Sequence, residues 1–185
     1  MFQPYWLVLA AALVTLDLGT TVSAQEPLDG EARDRCQQRL DRVLLNKRLV
    51  AKVTFPASNL GVDLHIDGTW DQRVITRTIK DNGVGIEIGE SATITTVVLK
   101  AKHLELHLNG GGFGTWGDYM STTEKQREQR KGANGKVPGG SRINLRFDRP
   151  VTEADVDNLA RLAAYLEPLV DASSLKQEIA RRDLS

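Results

Sequence analysis

Apolar and polar side chains alternate without a break at residues 103–108: Leu104, Leu106 and Leu108 against His103, Glu105 and His107. A period of two is the signature of a strand with one buried and one polar face. The same rhythm sets Val62, Leu64 and Ile66 against Asp63, His65 and Asp67, and recurs at Val84, Ile86 and Ile88 and at Ile143, Leu145 and Phe147. Leu49 to Phe55, ended by Pro56, reads as another strand, and so does the Thr- and Val-rich run from Ala92 to Lys100. Residues 57–61, Asp67-Gly68, Gly89-Glu90 and Ala101-Lys102 supply turns. Strands 84–88, 92–100 and 103–109 are therefore expected to form an antiparallel meander.

The helical period takes over at both ends of this β-rich stretch. Asp29 is placed to cap a helix reaching about Leu45, with Ala32, Cys36, Leu40, Val43 and Leu44 on one stripe and Asn46 as the stop. Thr152 is placed to cap a single helix carrying Val156, Leu159, Leu162, Ala163 and Leu166, ended by Pro168. Inside the β-rich part, Thr69 is placed to cap a short helix from Trp70 to about Lys80, with Trp70, Val74, Ile75 and Ile79 at helical spacing and Asn82-Gly83 as the stop. Thr76 and Thr78 leave a strand as the alternative there. Residues 171–185 read as a short polar helix or a disordered tail.

These elements predict an α+β fold: a small, mostly antiparallel β-barrel or curled sheet of about six strands, with an N-terminal and a C-terminal helix. At that level residues 45–150 resemble an SH3-like barrel elaborated by helices. The expected organisation is a leader over 1–24, an N-terminal helix over 25–47 and a β-rich domain over 48–150 with a polar insert at 120–141. The C-terminal helix follows over 151–170, then the polar tail over 171–185. Ser121-Thr122-Thr123-Glu124 has the form of a capping box in an insert almost devoid of apolar side chains. That composition predicts mobility rather than core packing.

Residues 5–16 form an apolar run, too short for a bilayer span of about 20 residues but suited to a secretory signal. Val22-Ser23-Ala24 puts small residues where a signal peptidase reads, so cleavage is expected before Gln25. The protein is expected to be exported, periplasmic or secreted, with no stable membrane span once the signal is removed. Lys and Arg total 24 and Asp and Glu total 24; only Asp17 lies in the leader, leaving 24 against 23. A balanced charge argues against a nucleic-acid partner. Cys36 is the only cysteine, so no intramolecular disulfide is available, and its place on the apolar stripe reads as packing.

The leucine strand runs into the densest glycine cluster: Gly110, Gly111, Gly112, Gly114 and Gly117 fall within eight positions, with Phe113, Trp116 and Tyr119 among them. Glycine at this density marks positive φ or close backbone approach. Gly112-x-Gly114-x-x-Gly117 matches the dinucleotide fingerprint as a string, but that motif needs a parallel βαβ unit, whereas the flanking pattern is antiparallel. No cofactor is expected. The binding candidates are Gly110, Gly111, Gly112, Phe113, Gly114, Thr115, Trp116, Gly117, Asp118 and Tyr119, whose backbone amides and rings suit a ligand or partner surface. The bland alternative is a structural plug of the barrel end. The polar strand faces give a second candidate. Asp63 and His65 on one strand, and His103, Glu105 and His107 on another, would form a metal site if the two faces met. Residues 124–136 carry Lys125, Arg127, Arg130, Lys131 and Lys136 against Glu124 and Glu128, a local excess of three positive charges suited to an anionic envelope polymer.

The function expected is a non-enzymatic binding domain of the cell envelope using residues 109–119, with an envelope protein or cell-wall polymer as partner. The alternative is an envelope hydrolase or metal-dependent enzyme working from the polar strand faces. Export is checked first: in a secreting host, N-terminal sequencing of the product should begin at Gln25. An intact Met1 on a soluble cytoplasmic product would contradict the assignment.

Overall fold

The computed structural model describes residues 27–112 and 140–183. The expected leader over 1–24 lies outside them, as does most of the polar insert. Helix α1 spans Gly30–Leu44, its first turn capped by Asp29, whose carboxylate accepts the Ala32 amide at 2.7 Å. It buries Cys36, Leu40, Val43 and Leu44 and stops where Asn46 takes a φ of 62°, a conformation asparagine tolerates.

Strands β1 (Arg48–Ala51), β3 (Val62–His65), β5 (Ser91–Leu99), β6 (His103–Leu108), β7 (Ser141–Arg146) and β8 (Val170–Asp171) form one curled six-stranded sheet, a half-barrel with helices at both ends of the chain. The order is β3-β7-β6-β5-β1-β8, and only the β3–β7 pair is parallel. The apolar sides of these strands, among them Val62, Leu64, Leu104, Leu106, Leu108, Ile143 and Leu145, join the α1 stripe in one core.

Two short strands, β2 (Phe55–Pro56) and β4 (Val84–Ile86), pair separately. This corrects the expected meander. The β5–β6 hairpin forms, but β4 is not its third strand, because β1 takes the other side of β5 with Leu49 opposite Ala92, both buried. The chain between β4 and β5 turns against the end of β1, where the Gly89 amide donates to the Ala51 carbonyl at 2.7 Å. The strand expected over 49–55 likewise ends at Ala51. Phe55 and Pro56 belong to β2, across a register shift that absorbs the missing proline amide.

Helix α2 (Gln72–Asn82) forms at the expected place, but Asp71 caps it, accepting the Arg73 and Val74 amides at 2.8 and 3.3 Å. Thr69 instead closes the preceding turn onto the Asp67 carboxylate. The single C-terminal helix becomes α3 (Glu153–Asp157) and α4 (Leu159–Tyr165), parted at Asn158, whose side chain caps α4 by accepting the Arg161 amide at 3.0 Å. At the start of α3, Asp155 accepts the Thr152 amide and hydroxyl and both terminal nitrogens of Arg149. Burial pushes the Asp155 carboxyl up, but these hydrogen bonds outweigh it and hold its pKa below the ordinary value.

Helix α5 (Ser173–Asp183) occupies the region read as a short polar helix or a disordered tail, following β8 on the free edge of β1. Leu175 and Ile179, four residues apart, are both buried in the core, a stripe too short to stand out against the charged residues around it. Leu175→Ala should therefore cost about 2–5 kcal/mol in chemical denaturation, as for other buried leucines. A loss below about 0.5 kcal/mol would mean that α5 is only a surface appendage.

Candidate functional site

Strands β3, β7 and β6 lie side by side, so the residues opposite their apolar sides share one polar face. The register aligns His65, Arg146 and His103 in one row and Asp63, Asn144 and Glu105 in the next, with Arg142 opposite His107 beyond. All three histidines of the chain stand here. The residues on β3 and β6 are the candidates that alternation singles out; their neighbours on β7 are not among them. Their signal was present in the alternation of Arg142, Asn144 and Arg146 with Ile143 and Leu145.

The face is wired from one strand to the next. Asp63 Oδ1 accepts Asn144 Nδ2 at 2.8 Å and Arg146 Nε at 2.9 Å, with Arg146 Nη2 also at 2.9 Å. Arg146 Nη1 lies 3.1 Å from His103 Nδ1. A guanidinium has only donors, so His103 Nδ1 must accept and its proton must sit on Nε2. That nitrogen donates to Glu105 Oε1 at 3.1 Å. The second carboxylate oxygen faces His107 Nε2 at 3.6 Å, outside ordinary hydrogen-bond length but within ion-pair reach. Burial pushes the Glu105 carboxyl up; the His103 hydrogen bond, the Lys100 charge and His107 outweigh it and leave its pKa below the usual value. The side chains of His103, Glu105 and His107 are only 16–19% exposed, whereas Asp63 and His65 remain about half exposed.

This wiring separates the two halves of the expected metal site. Arg146 stands between Asp63 and His65 on one side and His103 on the other, and its positive charge opposes a cation there. Among the described residues no group of three or more His, Cys, Asp or Glu side chains is arranged to hold a metal ion. The backbone beyond β6 turns through positive φ at Asn109, Gly110, Gly111 and Gly112. At Gly111 a Cβ would come within 2.8 Å of His107 Nδ1, so the imidazole packs where a side chain would otherwise stand. At Gly112 a Cβ would run into the Ser58 backbone. Both positive φ and close approach thus apply at these two residues. Phe113, Gly114, Thr115, Trp116, Gly117, Asp118 and Tyr119 lie outside the described residues.

A concavity of about 350 Å³ adjoins the face between β3 and the start of α2, with Asp63, His65, Asp71 and Arg146 around it and Leu60 and Val74 exposed at its rim. Compared with known proteins, the chain matches no family model, no curated protein and no solved structure.

Gly111→Ala and Gly112→Ala should each cost more than about 1 kcal/mol in chemical denaturation, since strain and a steric clash coincide. Gly30→Ala, which meets open space at the start of α1, is the matched control. It should be neutral or stabilising by up to about 1 kcal/mol. Equal effects at all three positions would remove the case for a shape-determined turn beside His107.

Proposed function

We propose that the protein is an exported, non-enzymatic binding domain of the cell envelope that offers the polar face of its sheet, and the glycine turn at its margin, to a cell-wall polymer or an envelope protein. One observation carries the reading. Three histidines, two arginines, Asp63, Asn144 and Glu105 are gathered on one side of a sheet whose other side is the core. Among the described residues, the side-chain hydrogen bonds of Asp63, His103, Glu105, Arg142, Asn144 and Arg146 run within that face or to the loops at Leu60 and Gly111. Residues 109–140 then join two directly paired strands, with Leu108 opposite Ser141.

The chemistry favours binding over catalysis. The His103 ring is engaged by Glu105 and Arg146 rather than by a hydroxyl or thiol. Cys36 is buried on α1, and Ser141 sits on the core side of β7. A nucleophile–base pair needs the two groups within hydrogen-bond reach. The SH3-like comparison belongs to the same reading, as a likeness of architecture resting on the small, curled, mostly antiparallel sheet.

Co-sedimentation of the full chain with purified cell-wall sacculi tests the proposal. Binding should be saturable, and Glu105→Gln combined with His107→Gln should weaken it at least about tenfold while the thermal midpoint moves by only a few degrees. Equal binding by the parent and the double variant would overturn it.

A further inference from the structure

The two arginines of β7 stand on the same face but are used differently. Arg146 is charge-paired: Nε and Nη2 reach the Asp63 carboxylate, and Nη1 reaches His103. Arg142 is half-buried, and among the described residues its side chain makes one hydrogen bond, from Nε to the Gly111 carbonyl at 2.7 Å. Among the described residues no carboxylate pairs with it. The nearby acids are already committed, Asp63 to Arg146 and Asn144, Glu105 to the two imidazoles. A guanidinium carries five N–H donors, so four of them, on Nη1 and Nη2, are left for something else.

We propose that Arg142 is the seat of an oxyanion, a carboxylate or phosphate group carried by the ligand of the polar face. This inference rests on the binding function proposed above and specifies its chemistry. Three features prepare the site. The Nε bond to Gly111 fixes one edge of the guanidinium plane. The pairing of Arg142 with His107 across β6 and β7 fixes where its stem leaves the sheet. His107 in turn packs against Gly111 with Glu105 on its other side, so it walls the site without competing for the fork. The terminal nitrogens of a guanidinium match two oxygens of one oxyanion, which gives both charge compensation and direction. A partly withdrawn cation without a counter-ion is costly to keep, and a bound anion relieves that cost.

The test is a titration of the full chain with sodium phosphate and, separately, sodium acetate, each against sodium chloride at matched ionic strength, read by the Arg Nε–Hε resonances. Saturable movement of one Arg Nε–Hε signal is expected, absent with chloride and lost in Arg142→Gln. Response to phosphate alone identifies a phosphate-bearing ligand, and response to both anions includes a carboxylate. Arg142→Lys keeps the charge and the stem but loses the fork, and should weaken the anion at least about tenfold even if Arg142→Gln folds poorly. Arg48→Gln, a distant arginine bonded to Ser91, should leave the titration unchanged. No saturation with either anion, or an unaltered titration in Arg142→Lys, overturns the inference. If sacculi still bind in that event, the binding function stands and only its anionic chemistry falls. If anions bind but sacculi do not, the oxyanion seat stands and the envelope reading falls.

Discussion

The double pairing of β7 is the constraint on which the rest of the arrangement depends. This strand bonds in parallel to β3 and antiparallel to β6, so it joins the first half of the chain to the central hairpin. Without it, Asp63 and His65 would have no relation to Glu105 and His103. The chain reaches β7 only after residues 109–140, yet β7 begins directly opposite the end of β6. The entropic cost of a long connection rises slowly, by only about 0.6 kcal/mol for each doubling of length. The pinned ends therefore matter more than the length. Gly112 lies against the Ser58 backbone and Gly140 against the Leu108 backbone, close approaches that a larger residue would obstruct.

Local signals set by backbone and solvent were legible in the chain. Asp29 and Thr152 mark true helix starts, and alternation marks β3, β6 and β7. What alternation does not specify is the neighbour. Val84 and Ile86 have the rhythm of a meander strand, but Ile86 completes its burial beside Phe55 while β1 claims β5. A period of two gives the face of a strand and leaves its partner to tertiary competition. The C-terminal half failed in the opposite sense. One apolar stripe spans Val156 to Leu166, yet Asn158 breaks it in two by capping α4 with its own side chain.

The candidate site was legible in pieces for the same reason. His103, Glu105 and His107 stand out because they interrupt leucines, as do Asp63 and His65 beside Val62 and Leu64. Placing the pieces together requires the parallel β3–β7 pair, a contact across about 80 residues of sequence that no local pattern encodes. The same pairing bears on the metal reading, because the strand that brings the two clusters near each other also carries Arg146 between them.

The polar face contributes little to stability by comparison with the face behind it. Partly exposed ion pairs such as Arg146–Asp63 are worth about 0–1 kcal/mol each, whereas each fully buried leucine of the opposite face is worth several times that. Solvation alone would be met by any scatter of polar residues. The observed face is more ordered than that: Asp63 answers Arg146, Glu105 answers two histidines, and every acid is spent. Among the described residues of this face, the arginine without a carboxylate partner is the one fixed by the glycine turn. A paired Arg146 beside an Arg142 without a counter-ion is the charge distribution that the proposed oxyanion seat requires.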